Sequence, residues 1–286
     1  MRNLVIGARG LLGSAFVRAF KRRGEYVATT GFGENYTHYF ELSYPEDIYQ
    51  IMEDEQPERV FLCAYNAWVD AAEWDDTVFQ TNVSGNLHAA LAAKFVGAKV
   101  YFPSSSYVFD GTKALPYLET DHPKPINIYG QHKLLLERLL LESLSDPVIF
   151  RTVGLFGPEK EERKNFVYQV IDGLTQGEII EAPVDQVMNP IHVDSLVKAV
   201  LSLPKDFSGI IHIAGDKICS KYQWAYDIAT EYGAWNDRAQ IEGTKTRYED
   251  QKANRPANGS LDCGKLVELI GYPPSIGLED FLEEIK

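Results

Sequence analysis

Short apolar runs alternate with longer amphipathic stretches over the first half of the chain. The apolar runs have the length of buried strands and lie at 3–6, 26–30, 59–63, 99–102 and 147–151. Helical periodicity predicts helices from the turn after residue 6 to about 23, at 45–55 and 71–96, and around residues 129–133. Unbroken alternation of strand and helix predicts an α/β fold, a doubly wound parallel sheet of the Rossmann type.

Beyond residue 157 the alternation becomes less regular. The pattern predicts strands at 179–182, 190–193 and 209–213, and helices at 161–177, 194–203, 222–232, 262–269 and 278–285. No linker or internal repeat separates the two halves, so we expect two interleaved domains. We assign 1–157 and about 185–218 to a Rossmann domain, and about 158–184 and 219–286 to a smaller α/β substrate domain.

The turn after the first strand is rich in glycine. Gly7, Gly10 and Gly13 follow the spacing Gly-x-x-Gly-x-x-Gly, which differs from the dinucleotide fingerprint Gly-x-Gly-x-x-Gly. Glycines let the backbone turn tightly beside a pyrophosphate, which the amino end of the next helix attracts through its free N–H groups. We therefore predict cofactor contacts from this turn, at Gly7, Arg9, Gly10, Leu11, Leu12 and Gly13.

The second predicted strand bears on the choice of cofactor. It ends at Thr30-Gly31-Phe32-Gly33 without the Asp or Glu that commonly holds the ribose 2′-hydroxyl of NAD. The missing acid removes a charge that would repel a 2′-phosphate, and Arg9 could meet that phosphate. Arg9 could equally be a solvated loop residue. We predict NADP(H) in preference to NAD(H), and NAD(H) stays open.

Tyr129 and Lys133 supply the candidate chemistry. Residues four apart lie on one face of a helix. A neighbouring ammonium favours the phenolate, so we expect Lys133 to lower the pKa of Tyr129 from its usual value near 10. Tyr129 could then act in general acid–base catalysis, and the Ser105 hydroxyl could bond a carbonyl oxygen. Such pairs also arise by chance, but Ser105 follows a strand, where ligands of open α/β sheets bind.

Composition narrows the classes of partner. A net charge of −13 over 286 residues argues against a nucleic-acid surface. Three cysteines and six histidines are dispersed without metal spacing, which predicts reduced thiols and no metal site. Met1 leads directly into a strand, and no apolar run could span a bilayer. We expect a cytoplasmic protein with neither nucleic-acid nor membrane partners.

These motifs resemble the extended short-chain dehydrogenase/reductase family over nearly the whole chain. The glycine turn is similar to its cofactor motif, and Ser105, Tyr129 and Lys133 to its catalytic triad. Within the family, two stretches look most like the dTDP-4-dehydrorhamnose reductase group, namely 104–111 and 125–130. Val69-Asp70-Ala71-Ala72-Glu73, Arg255-Pro256 and Leu261-Asp262 also resemble motifs of that group.

The resemblance implies hydride transfer from NADPH to the C4 ketone of a nucleotide-linked deoxysugar in polysaccharide biosynthesis. Tyr129 would protonate the oxygen, Lys133 would hold the nicotinamide ribose, and Ser105 would orient the carbonyl. Further cofactor contacts are expected from Glu41, Leu42, Ala64, Asn82, Tyr129 and Lys133. Substrate contacts are expected from Trp68, Val69, Ser105, Asn165 and Arg255.

Two departures from the reductase pattern affect the expected sugar pocket. Ser106 replaces an Asp, and Gly154 stands where these enzymes usually carry a Trp. Trp68 lies in a loop that also differs. The sequence therefore leaves the sugar, its nucleotide, the reaction direction and the oligomeric state open, with a homodimer as one option.

Two alternative functions also stay open. The loop at 189–194 resembles epimerases and dehydratases of the family as much as the reductases. A non-catalytic reading rests on Gly31-Phe32 and Ser84-Gly85-Asn86, which resemble the regulatory β subunit of methionine adenosyltransferase. Such a subunit would bind NADP and a partner protein without a sugar substrate.

Overall fold

The computed structural model describes residues 1–31, 35–42, 47–158, 165–233 and 240–286. Its strands are β1 (Arg2–Ile6), β2 (Tyr26–Gly31), β3 (His38–Tyr39), β4 (Arg59–Leu62), β5 (Lys99–Ser105), β6 (Val148–Thr152), β7 (Leu155–Phe156), β8 (Ile179–Pro183), β9 (Val187–Met188), β10 (Ile191–His192), β11 (Gly209–His212), β12 (Cys219–Ser220) and β13 (Gln240–Thr244). Its α-helices are α1 (Leu11–Arg22), α2 (Asp47–Glu55), α3 (Thr77–Phe79), α4 (Asn86–Phe95), α5 (Ile128–Ser143), α6 (Phe166–Gln176), α7 (Val193–Ser202), α8 (Lys221–Tyr232), α9 (Gly264–Ile270) and α10 (Leu278–Ile285).

A parallel sheet forms the centre of the molecule. Its strands follow the order β11-β6-β5-β4-β1-β2-β3, and every neighbouring pair is parallel. The chain leaves β1 towards β3 and then returns to β4 on the other side, so the order reverses between β1 and β4. The predicted doubly wound sheet is confirmed, and its ligand crevice is expected at this reversal.

Aromatic side chains fill the space between α1 and the sheet. Phe16 and Phe20, four apart on α1, are both fully buried. The ring of Phe61 in β4 lies 4.5 Å from the ring of Phe16 and 4.6 Å from that of Tyr101 in β5. These contacts join the helix that follows the glycine turn to two central strands, which fixes the start of that helix.

A second, smaller core lies outside the sheet. Helices α6, α8 and α10 pack around Phe156, Trp224 and Phe281, beside the parallel pair of β8 and β13. Within 219–286, Leu266 of α9 is instead buried with Val5 in the core of the sheet. The assignment of 219–286 as a whole to a substrate domain stays a prediction.

The predicted helix over 71–96 is wrong as a single element. The segment forms a 3-10 turn at Ala71–Glu73, helix α3, a π-helical stretch at Gln80–Gly85, and helix α4. The wider π turn brings Asn82 and Asn86 into the interior, where both are fully buried. Their amides bond to the loop after β4, at the backbone of Asn66 and the carbonyl of Ala64. These buried hydrogen bonds offset the lost α-helical ones.

Other boundaries agree closely. The helices predicted at 45–55 and 161–177 are observed as α2 and α6, and residues 45–46 and 161–164 lie outside the described residues. The two-residue strand β3 was not predicted, because it is too short to show periodicity. No helix in the described ranges has the length and apolarity needed to cross a bilayer.

Replacement of Phe61 by Ala should lower the free energy of unfolding by about 3–5 kcal/mol, because it leaves a cavity between α1 and the sheet. Urea denaturation measures the change. The matched control is Phe95→Ala, since Phe95 is 68% exposed; it should change stability by no more than about 0.5 kcal/mol. Equal losses in both variants would contradict the aromatic packing described above.

Candidate active site

The start of α5 is pressed against the turn that follows β5. Ser105 ends β5, and its hydroxyl accepts a hydrogen bond from the backbone of Tyr107 at 3.2 Å. Asn127 caps α5 by accepting the Gly130 N–H at 2.7 Å. A Cβ atom at Gly130 would lie 2.1 Å from the Tyr107 carbonyl oxygen, so only glycine permits this approach. The close contact brings Tyr129 within hydrogen-bond reach of Ser105.

Lys133 lies one turn further along α5 and completes the predicted set. It is only 3% exposed, and its Nζ donates to the Pro103 carbonyl at 2.7 Å. The same nitrogen lies 3.3 Å from the ring centroid of Tyr65 and 5.7 Å from that of Tyr129. Ser105, Tyr129 and Lys133 therefore converge at the carboxyl edge of the sheet.

Burial controls the protonation of this set. It lowers the pKa of Lys133 to about 7, although the negative charge of Glu137 opposes the shift. It also raises the pKa of Tyr129 above 10.0, further raised by Tyr107 and opposed by the hydrogen bond from Ser105. The predicted lowering of the Tyr129 pKa is wrong for this structure, because desolvation dominates and Lys133, whose Nζ lies 5.7 Å from the Tyr129 ring centroid, does not offset it.

The three glycines of the turn after β1 have different roles. Gly7 has a φ of +86°, and a Cβ there would lie 2.4 Å from the Ala64 nitrogen. A Cβ at Gly13 would lie 2.2 Å from the Gly7 carbonyl oxygen. At Gly10 the nearest atom would be 3.7 Å away. The protein's own packing thus requires Gly7 and Gly13, whereas Gly10 leaves open space beside the amino end of α1.

The amino end of α1 has features that attract an anion such as a pyrophosphate. Gly10 caps α1 without a side-chain hydrogen bond, and the first turn holds no acidic residue. The N–H groups of Leu11 and Leu12 therefore face the space that Gly10 keeps open, and a helix amino end attracts an anion. Arg9 is exposed beside it. A Cβ at Gly10 would enter this cradle without disturbing the protein.

The remaining predicted cofactor residues occupy different environments. Ala64 lies against Gly7 at the carboxyl end of β4. Leu42 is buried in the sheet's core, and Glu41 beside it is partly buried. Asn82 is fully buried, and its amide oxygen and nitrogen both bond to the Asn66 backbone, at 2.8 and 3.2 Å. In this structure Asn82 holds the loop after β4.

The predicted substrate residues lie in two places. Trp68 is 46% exposed and packs edge-to-face on Trp74 at 5.8 Å between ring centroids, and Val69 follows it in the same turn. Arg255 forms two parallel hydrogen bonds with Asp70, one of them at 2.9 Å. These contacts bring the carboxyl-terminal segment beside the loop after β4.

Asn165 and Gly154 are engaged in close contacts within the protein. Asn165 caps α6 by accepting the Val167 N–H, and it donates to the Gly157 carbonyl at 2.8 Å. Gly154 has a φ of +59°, and a Cβ there would lie 3.0 Å from Pro190. A side chain at this position would therefore meet Pro190 and Met188 at once.

Sequence reasoning missed two aromatic neighbours of Tyr129. The rings of Tyr65 and Tyr107 lie edge-to-face on it, at 5.5 and 5.9 Å between centroids. The charge of Arg255 also opposes the rise that burial causes in the pKa of Tyr107, which links Arg255 to the site. The available signal was position, since each tyrosine follows the carboxyl end of a central strand.

Comparison with known proteins gives consistent matches. The family model for the RmlD substrate binding domain matches residues 1–285. Methionine adenosyltransferase 2 subunit beta of Rattus norvegicus is 30% identical over 98% of this chain and 87% of its own length. A dTDP-4-dehydrorhamnose reductase of Burkholderia thailandensis is 30% identical over 95% of this chain and 93% of its own. The structure of a Bacillus anthracis dTDP-4-dehydrorhamnose reductase in complex with NADP superposes with a TM-score of 0.86, at 26% identity over 99% of this chain and 97% of that one.

The Gly10→Ala variant should fold normally and bind NADPH roughly tenfold to a hundredfold more weakly, because a methyl group would overpack the cradle. Titration of NADPH fluorescence measures the affinity, and thermal unfolding reports the fold. Gly13→Ala is the contrasting variant and should lose stability through its clash with Gly7. Wild-type affinity in a folded Gly10→Ala protein would contradict the site.

The lowered pKa of Lys133 predicts a pH dependence of stability without cofactor. Between about pH 7 and 10.5 the unfolded chain holds a proton that the folded chain has lost, so the free energy of unfolding rises with pH. Below about pH 7 both states hold the proton, and the folded state bears the full cost of a buried charge. Urea denaturation from pH 7 to 8.5 should show this rise in the wild type relative to Lys133→Met. Parallel curves would contradict it.

Proposed function

The chain belongs to the RmlD substrate binding domain family, and on that premise we propose that it is an NADPH-dependent reductase of the C4 ketone of a nucleotide-linked deoxysugar. The observation that carries this proposal is the convergence of Ser105, Tyr129 and Lys133 beside the glycine turn. Gly7 contacts Ala64, and the adjacent Tyr65 contacts Tyr129 and Lys133, which connects the two halves of the site. The reductases among the relatives support the same reaction.

The glycine turn and the start of α1 would hold the dinucleotide. Gly7, Gly10 and Gly13 let the backbone approach the pyrophosphate, and Arg9 supplies a cation for a 2′-phosphate. Leu42, Glu41 and Ala64 would line the adenosine and nicotinamide ends. When bound, NADPH supplies the hydride.

Tyr129 would donate the proton. Because its pKa is raised, the phenol stays protonated at neutral pH and can serve as a general acid. It gives its proton to the oxygen of the C4 carbonyl as negative charge develops there. Two aromatic edges, from Tyr65 and Tyr107, hold the ring in place.

Ser105 and Lys133 would assist from two sides. The Ser105 hydroxyl can donate a hydrogen bond to the same carbonyl oxygen, which stabilises its developing charge. Lys133 is buried, and its Nζ lies 5.7 Å from the ring centroid of Tyr129, so its ammonium form would favour the phenolate left after proton transfer. Lys133 would also donate to the nicotinamide ribose.

The substrate would enter between the loop after β4 and the carboxyl-terminal segment. Trp68 and Val69 offer apolar contact, and Arg255 offers a cation already oriented by Asp70. Asn165 would contact the substrate from the start of α6. The closed position at Gly154 supports a sugar pocket shaped differently from that of the rhamnose reductases.

The described thiols of Cys63, Cys219 and Cys263 are free, which suits a reducing cytoplasm. A homodimer stays a prediction.

A regulatory role is the second candidate. The observation that favours it is the 30% identity to methionine adenosyltransferase 2 subunit beta over nearly the whole chain. A regulatory subunit would retain NADP and would need no sugar turnover. The two functions separate in one assay, because only a reductase consumes NADPH in proportion to ketosugar. An epimerase would convert a nucleotide sugar without net loss of NADPH.

Replacement of Tyr129 by Phe should abolish reduction while NADPH affinity stays within about twofold, because only the proton donor is lost. A panel of nucleotide-linked 4-ketosugars, followed by NADPH absorbance, identifies the substrate, and the variant is then compared with the wild type. Turnover by Tyr129→Phe at the wild-type rate would contradict the proposed acid. Wild-type protein that reduces no ketosugar and binds a methionine adenosyltransferase catalytic subunit would favour the regulatory role.

A further inference from the structure

Glu137 adds a further contact between α5 and β5, the strand that ends at Ser105. It lies one turn beyond Lys133 on the same helix face. Its carboxylate accepts a hydrogen bond from the Ser104 hydroxyl, while Lys133 binds the carbonyl of Pro103. Pro103 and Ser104 immediately precede Ser105 in β5. Successive residues of this strand end are therefore each tied to α5.

Arg151 holds Glu137 from the neighbouring strand. It pairs directly with Ser104 in the β5–β6 ladder, and its Nε and Nη2 donate to the two oxygens of Glu137 at 2.9 and 2.7 Å. The Arg151 and Glu137 side chains are only 2% and 1% exposed. In this dry environment the carboxylate cannot exchange its partners for water, so its orientation is fixed.

His212 completes the network from β11. Burial lowers the pKa of His212 to about 3, so the ring is neutral at pH 7. Its Nδ1 donates to the Tyr117 carbonyl at 3.0 Å, and its Nε2 then accepts from Arg151 Nη1 at 3.5 Å. The polar atoms that link Ser104, Glu137, Arg151 and His212 across three strands and one helix are thus all satisfied.

The network is separate from the reacting groups but adjoins them. The Ser104 hydroxyl is committed to Glu137, so it is not available to a substrate. Ser104 lies between Pro103, whose carbonyl binds Lys133, and Ser105. Loss of its hydroxyl would therefore free the end of β5 from α5 between these two residues. A shift of a reacting group by even 1 Å is costly to a reaction that depends on alignment.

We propose that Ser104 and Glu137 are positioning residues, which use the Arg151 anchor to set the placement of Ser105 and Lys133 relative to the cofactor. This role rests on the proposed function for its effect on turnover. Its effect on cofactor binding follows from the expected contact between Lys133 and the nicotinamide ribose.

The test is Ser104→Ala, which removes one hydroxyl and leaves the pair of Glu137 and Arg151 intact. The matched control is Ser260→Ala. Ser260 is also buried, at 1% against 3% for Ser104, and its hydroxyl donates to a side chain, Asn258, at 2.6 Å. Both variants lose one side-chain hydrogen bond, and the melting temperature should fall further in Ser104→Ala, because its bond is buried and goes to a carboxylate.

We expect Ser104→Ala alone to bind NADPH about twofold to tenfold more weakly, the range that one lost hydrogen bond produces. With a ketosugar that the wild type reduces, its kcat should fall about tenfold or more, while the KM for the sugar stays within about twofold. Wild-type values for both NADPH affinity and kcat in Ser104→Ala, or the same changes in Ser260→Ala, would overturn the proposal. If the wild type reduces no ketosugar, the proposed function fails, and the NADPH titration still decides the positioning role.

Discussion

The close approach of α5 to the turn after β5 is the contact on which the rest of the site depends. Only glycine at position 130 lets the helix backbone reach the Tyr107 carbonyl. From that point the helix geometry determines the remaining contacts, because Tyr129, Lys133 and Glu137 recur at intervals of four on one face. The site is therefore built by one helix laid along one strand end, and both are rigid elements of the central fold.

Desolvation is the physical consequence of this arrangement. Lys133 and Tyr129 are placed where water does not compensate their charged forms, so the neutral form of each is favoured without a ligand. A neutral phenol is the form that can give up a proton, and a lysine whose pKa is about 7 gains a proton readily when negative charge develops beside it. The same burial that reduces the stability of the folded protein thus brings the pKa of Lys133 close to neutral pH, and it keeps Tyr129 in the protonated form.

The sequence was sufficient for the sheet and for the selection of Ser105, Tyr129 and Lys133, which the fold brings together. Apolar runs and glycine spacing depend on short stretches of chain, and they predicted the parallel strands and the turn after β1. The pKa of Tyr129 could not be predicted from the Lys133 spacing, because it depends on the depth of burial and on Tyr65 and Tyr107, which come from distant segments. The break in the helix over 71–96 was hidden for a similar reason, since Asn82 bonds to a loop that local periodicity does not reveal.

The residues proposed for the reaction and the positions that depart from the reductase pattern lie on different elements of this fold. Tyr129, Lys133 and Ser105 lie on a helix and a strand end that the core of the sheet holds in place. Trp68 and Gly154 lie on the connections after β4 and after β6, where the chain departs from the reductase pattern. A change in these connections can occur without moving the helix that carries Tyr129. The departures at Trp68 and Gly154 are therefore compatible with the proposed reaction on a different sugar.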